Sequence, residues 1–291
     1  VCVLLAEDLA EKCLSLCMVR VGSVFCRSEP LLANGFLRFV GASPCSRMRA
    51  QPSHPSASGA ASHKAPICML LNGAMASMER QEMSKDVVFD LGGVVFRWEP
   101  LVVLQTLFPQ RVPNEAVACE WAAQIFQTFH PDADWAQFDL GLIEPEPLAH
   151  RIAARTGLAL ADLRHLIDSI PAHLLPMQGT VDLIHDLKAQ GHRLYFLSNM
   201  PAGYAEHLVR ENSFFSQFEE GIFSAHVQQI KPLPDIFATA QARWPLRGQP
   251  VFIDDVQHNI DAAQQHGWQG IRFETPEQVR ADLVAQGYLR A

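Results

Sequence analysis

The chain has 291 residues, 48% of them hydrophobic and 19% charged, which is enough apolar material for one large domain or two modest ones. Its formal charge of −8, from 31 acidic and 23 basic residues, argues against a protein that works on nucleic acid or an anionic membrane. A membrane-crossing helix needs about 18 consecutive apolar residues, and the best stretch, 65–76, is shorter and is broken by Asn72 and Gly73, so a soluble protein is expected.

Two compositions are joined in the chain. Six of the seven cysteines (Cys2, Cys13, Cys17, Cys26, Cys45, Cys68) precede residue 70, and only Cys119 follows. Their spacing fits no paired C-x-x-C zinc pattern, and no basic stretch leads into an apolar core and cleavage site. Residues 50–64 are Pro, Ser, Gly and Ala with little to bury, the composition of a flexible linker. Residues 1–83 are therefore expected to be a disordered or targeting extension, or a stretch upstream of the true start, with Met75, Met78 and Met83 as later starting points. From residue 84 onward there are 15 basic and 25 acidic residues, so the acidic character belongs to the body.

From Asp86 the punctuation is regular. Asp86–Asp90 is a short apolar run ending in an acid and Leu-Gly-Gly, the pattern of a buried parallel strand and turn. The segment that follows, 101–176, is rich in Ala, Leu, Gln, His and Trp at helical spacing. It predicts three or four helices broken at Pro113, Pro131, Pro145 and Gly157, a small helical domain inserted after the first strand. Core residues 84–100 and 177–291 complete the organisation. Thr180–Gln190 predicts a helix, Arg193–Asn199 a second strand ending in Ser-Asn, and Pro234–Ala242 another helix. Pro250–Asp255 predicts a third strand ending in Asp-Asp, Asn259–His266 a helix, Gly270–Phe273 a fourth strand and Pro276–Gln286 a last helix. Strands alternating with helices imply an α/β, doubly wound parallel sheet.

In such sheets the ligand sits outside the carboxyl ends of the strands. Asp90, Ser198 with Asn199, and Asp254 with Asp255 all lie at such ends and are expected to converge. Each alone has an ordinary explanation, since Asp and Ser-Asn also serve as helix caps and turn formers. The adjacent acids Asp254 and Asp255 are harder to explain away, because they repel unless a cation neutralises them. A hard cation with oxygen ligands, Mg2+ first, resolves that repulsion. Lys231, in Ile-Lys-Pro, is the fourth element.

Taken in order, these residues resemble the four motifs of the haloacid dehalogenase superfamily: Val87-Val88-Phe89-Asp90-Leu91-Gly92-Gly93-Val94-Val95, Leu197-Ser198-Asn199, Lys231-Pro232, and Phe252-Ile253-Asp254-Asp255 with Asn259 beyond. The position of the helical insertion is similar to the cap of the subfamily that holds small sugar-phosphate phosphatases and the phosphatase domain of soluble epoxide hydrolase. The resemblance implies a Mg2+-dependent phosphatase of a small phosphorylated metabolite, monomeric or homodimeric, working through a phosphoaspartyl intermediate, and the single cysteine of the body, with no evident signal peptide, leads to the expectation of a cytoplasmic location. It makes Asp90, Ser198 and Lys231 catalytic and puts Ser198, Asn199, Gly93, Lys231 and Asn259 around the substrate. Asp90, Gly92, Asp255 and Asp254 become the metal site.

One position departs from the pattern. Most phosphatases of the superfamily have a second Asp two residues after the nucleophile, as general acid and base, and here that residue is Gly92. The loss of a positioned acid or base commonly costs about 10²- to 10⁴-fold. A leaving group that departs easily, as from a sugar 1-phosphate or an acyl phosphate, is one way to accommodate it, and a residue of the cap is another. His130, Asp134, Trp135, Asp139 and Glu144 are the polar and aromatic candidates there, each also explicable as ordinary helix surface, and Trp98 is either pocket lining or packing. The alternatives carried forward are a 2-haloacid dehalogenase, a weakly catalytic metabolite-binding protein and a mutase.

Overall fold

The computed structural model describes residues 85–290; the expectations for 1–83 lie outside the described residues. Five parallel strands, β1 (Asp86–Phe89), β2 (Arg193–Ser198), β3 (Glu220–Phe223), β4 (Val251–Asp254) and β5 (Gln269–Arg272), form one sheet in the order β3-β2-β1-β4-β5. β1 is therefore central, and the chain reverses direction about it, which makes its carboxyl end the topological switch point.

The alternation of side chains along each strand sorts the core into two layers. Val87, Phe89, Leu194, Phe196, Val251 and Ile253 face one way, while Val88, Tyr195, Leu197 and Phe252 face the other. Both faces of the central strands β1, β2 and β4 are covered, as in a sheet with helices on both sides.

Between β1 and β2 come α1 (Pro100–Leu107), α2 (Glu115–Phe126), α3 (Asp134–Asp139), α4 (Pro145–Thr156), α5 (Leu160–His173) and α6 (Gln178–Ala189). Five helices thus precede residue 176, where sequence pattern predicted three or four. The extra element is α3, whose six residues are too few to show a helical period. Proline and glycine mark the breaks as expected: Pro145 opens α4 and Gly157 closes it in a left-handed conformation at φ 74°. The insertion leaves and returns through paired backbone, with Met177 N–H bonded to Val95 O and Arg97 N–H to Leu175 O, both at 2.8 Å.

After β2 follow α7 (Ala202–Glu211), a 3-10 turn at Ser213–Gln217, β3 and the one-turn α8 (Ser224–Val227). Next come α9 (Pro234–Arg243), β4, α10 (Gln257–Gln265), β5 and α11 (Pro276–Ala285). β3 was not legible in the sequence: it is a four-residue edge strand that begins half-buried and contains Gly221. Among the described residues no helix is long and apolar enough to cross a membrane.

Candidate active site

The sheet treats its two ends differently. At the amino end of β1, Asp86 is fully buried and accepts two bonds at 2.7 Å from the Arg193 guanidinium and a third from Arg247 N–H, and the fork settles its charge. At the carboxyl end, β1, β2 and β4 deliver Asp90, Ser198 with Asn199, and Asp254 with Asp255 to one place, as the parallel register requires.

Lys231 connects them. Its side chain is 1% exposed, and Nζ lies 2.9 Å from Asp90 Oδ1 and 2.7 Å from Asp254 Oδ2, with the Phe252 ring 5.3 Å away. Burial opposes the charge on this ammonium, but Asp254 and Asp90 outweigh it and raise its pKa. The loop that carries Lys231 is held by Asn199, whose Oδ1 accepts Lys231 N–H at 2.9 Å and whose Nδ2 donates to Lys231 O at 3.0 Å.

The acids are oriented individually. Asp90 Oδ1 also accepts Leu91 N–H at 2.7 Å. Asp254 Oδ1 accepts Val256 N–H at 2.8 Å, and Asn259 Nδ2 donates to both Asp254 oxygens at 3.0 Å. Asn259 thus holds Asp254, which is committed to Lys231, Asn259 and the turn into α10. Asp255 lies against Gly93, where the backbone has φ +78° and any Cβ would collide with the Asp255 carboxylate. That close approach needs glycine. Gly92 is buried beside it. The Ser198 hydroxyl is fully buried and has no hydrogen-bond partner among the described residues.

This donor set fits a hard divalent cation. One carboxylate oxygen from each of Asp90, Asp254 and Asp255 lies within 4.8 Å of the other two, and the Lys231 ammonium pairs with Asp90 and Asp254. Burial, then Asp254 and Asp90, push the Asp255 carboxyl well above the usual carboxylate range, which is the signature of charge still to be neutralised. Carboxylates at that spacing suit Mg2+ or a similar oxygen-seeking ion.

Haloacid dehalogenase-like hydrolases match residues 85–267 as a family. The chain belongs to that family. Its catalytic apparatus is accordingly that of a hydrolase. Among curated members, a sesquiterpene phosphatase, AstK, of Aspergillus oryzae is 26% identical over 192 residues, 65% of this chain and 89% of that one. Flavin mononucleotide hydrolase 1 of Arabidopsis thaliana is 25% identical over 170 residues, covering 56% and 66%. A HAD family enzyme of Bacteroides thetaiotaomicron, solved with magnesium and inorganic phosphate, shares the fold at TM-score 0.50 and 22% identity over 66% of this chain and 94% of that one.

The candidates from the helical insertion separate sharply in this HAD-family chain. His130 is 70% exposed, Asp134 is bonded to Arg155 at 3.0 Å, and Glu144 is an exposed residue before α4. Trp135 is fully buried between Phe126 and Phe138, and Trp98 packs edge-on to Phe126 at 5.7 Å. Both tryptophans are core. Asp139 is the exception, a carboxyl 1% exposed at the end of α3. Ser224, which sequence reasoning missed, ties it down: its hydroxyl accepts Met200 N–H at 2.8 Å and donates to the main-chain carbonyl of Asp139. No motif marks Ser224, because it follows the one strand that the pattern did not reveal.

Proposed function

We propose that this hydrolase is a Mg2+-dependent phosphatase that releases phosphate from a small phosphorylated metabolite through a phosphoaspartyl intermediate. The observation that carries the reading is Lys231 lodged between Asp90 and Asp254 with Asp255 close by. Three acids around one ammonium suit a cation and a phosphoryl group. They oppose a dehalogenase's carboxylate substrate, which would add charge with nothing to offset it.

Asp90, Asp255 and the Gly92 carbonyl hold the ion, with Asp254 as a further ligand or as the anchor of Lys231. Bound there, Mg2+ supplies positive charge to the phosphoryl oxygens. Asp90, fixed by Leu91 N–H and Lys231, attacks phosphorus with a carboxylate oxygen. Lys231 and the Ser198 hydroxyl bind the phosphoryl oxygens as charge shifts among them, and the Asn199 clamp keeps Lys231 at its post. Water then cleaves the aspartyl phosphate, and the bond electrons return to Asp90.

The curated members named above as a sesquiterpene phosphatase and a flavin mononucleotide hydrolase support phosphate esters as the substrate class. Sugar phosphates remain a candidate within it. The test is phosphate release from hexose 1- and 6-phosphates, flavin mononucleotide, a prenyl phosphate, 4-nitrophenyl phosphate and acetyl phosphate, with Mg2+ and with EDTA. Release that needs Mg2+ and disappears in Asp90→Asn supports the reading. Absence of release from every member of the panel overturns it in favour of a metabolite-binding protein.

A further inference from the structure

On the phosphatase reading, Ser198 and Lys231 must meet the same phosphoryl group, yet they stand on separate segments. One is 198–200, at the end of β2, and the other is 224–231, which leaves β3 and ends at the lysine. In the ladder Ser198 pairs with Phe223, so Asn199 and Ser224 are the next residues along, side by side beyond the two strands.

Two side chains cross between these segments in opposite directions. Asn199 reaches from the first to the main chain of Lys231. Ser224 reaches from the second to the first, where its fully buried hydroxyl accepts Met200 N–H at 2.8 Å. The stretch between the clamps is compact: α8 is a single turn, Gln228 follows it in a left-handed conformation at φ 54°, and Ile230 and Lys231 are buried. Segment 224–231 is thus pinned to 199–200 at both of its ends.

The Ser224 hydroxyl has a further partner. It has one proton to give, and the main-chain carbonyl of Asp139, at the end of α3, takes it. The Met200 carbonyl, at 3.5 Å, is the more distant acceptor. Next to this bond Gly141, at φ +68°, lies so close to Ala225 that an added Cβ would sit 3.0 Å from the Ala225 oxygen. One buried oxygen therefore joins three pieces of chain: the insertion, the segment that presents Ser198 and the segment that ends at Lys231. Among the described residues its bonds run to neither β1 nor β4, the strands that deliver the acids.

We propose that Ser224 is a positioning residue for phosphoryl binding, whose hydroxyl sets the Ser198 segment against the Lys231 segment and ties that setting to the docked insertion. Without the hydroxyl, Met200 N–H and the Asp139 carbonyl lose a partner in buried surroundings, and the Ser198 segment shifts relative to the ammonium. A misplacement of about 1 Å in such a site costs up to about 10²-fold. The ion site keeps its geometry, because Asp90 and Asp254 retain Leu91 N–H, Val256 N–H and Asn259 as partners.

The test is Ser224→Ala, with Ser224→Cys as a second variant that keeps a side-chain heteroatom but bonds weakly. Tyr204→Phe is the control: it removes another bond between the insertion and the core, Tyr204 Oη to Ile167 O at 2.6 Å, outside both segments. Thermal unfolding shows that the variants are folded, and calorimetry reads the affinity for inorganic phosphate at saturating Mg2+ and, separately, for Mg2+. Both Ser224 variants are expected to lose about tenfold or more in phosphate affinity and about 10- to 100-fold in kcat/KM on 4-nitrophenyl phosphate. Mg2+ affinity should stay within about threefold, as for sites that share no partner, and Tyr204→Phe should keep its phosphate affinity. Unchanged phosphate affinity in a folded Ser224 variant, an equal fall in Mg2+ affinity, an equal fall in Tyr204→Phe, or failure of both Ser224 variants to fold overturns the positioning role. An unaltered protein that binds no phosphate in Mg2+ and releases none from any ester overturns the phosphatase reading, on which the role rests.

Discussion

Asn199 grips the backbone of Lys231 at two points, accepting its N–H at 2.9 Å and donating to its carbonyl at 3.0 Å. Both partners are buried, so the pair acts as a brace that fixes the ammonium between Asp90 and Asp254. Asn199→Ala leaves two buried main-chain groups without that partner, each costing about 1–3 kcal/mol. Chemical denaturation should show the loss, and kcat/KM should fall with it because Lys231 is no longer positioned.

Lys231→Met keeps the stem and removes the charge. Asp90 and Asp254 then face each other unneutralised, and breaking such a buried pair costs about 3–5 kcal/mol. Since Mg2+ becomes the remaining cation for these acids, the variant should gain more stability from added Mg2+ than the unaltered protein does. Unfolding midpoints across a Mg2+ titration measure this, and an unchanged increment would contradict the shared-charge account.

Gly93→Ala places a methyl group inside the Asp255 carboxylate at a backbone φ of +78°. Either Asp255 moves or the turn deforms, so Mg2+ affinity by calorimetry should fall at least tenfold. Gly157→Ala is the matched control, also at positive φ but with nothing within 4 Å of the added atom, and it should leave Mg2+ binding intact.

Asp139 makes stability depend on pH with a definite sign. Its folded value of about 6 stands above the ordinary carboxylate value of 3.8, so between those pH values the folded state holds the proton that the unfolded state has lost. The stability contribution is therefore complete below about pH 4 and is lost as pH rises through about 6. At one pKa unit per about 1.4 kcal/mol, Asp139→Asn should be more stable than the unaltered protein by about 2–3 kcal/mol near pH 7. That gain should disappear near pH 4. Metal-free protein is the form to measure.

Asp86→Ala tests the division of labour between the two ends of the sheet. Removing a buried acid that holds the Arg193 fork should lower stability by about 1–3 kcal/mol. Mg2+ affinity and kcat should remain unchanged once the variant is folded, because the disturbed residues lie at the amino ends of the strands.

The alternation of apolar runs and helical periods was sufficient to predict the α/β class, four of the five strands and most flanking helices. The reason is local: a strand buried on both faces needs an unbroken apolar run, and Val87, Val88 and Phe89 supply one. Asp90, Ser198, Lys231 and Asp254 stood out because each follows such a run or sits in a stiff Lys-Pro turn, and because parallel strands bring their carboxyl ends together. Tertiary structure alone decided which acids are satisfied and which are not. Asp86 and Asp90 bound the same run, yet one meets an arginine and the other a lysine shared with a second acid. Asp134 and Asp139 lie on one short helix, and only packing against Ser224 and its neighbours buries the second. Burial and neighbouring charge set a carboxyl's chemistry, and both come from residues remote in sequence, as with Asp139 and Ser224, 85 positions apart.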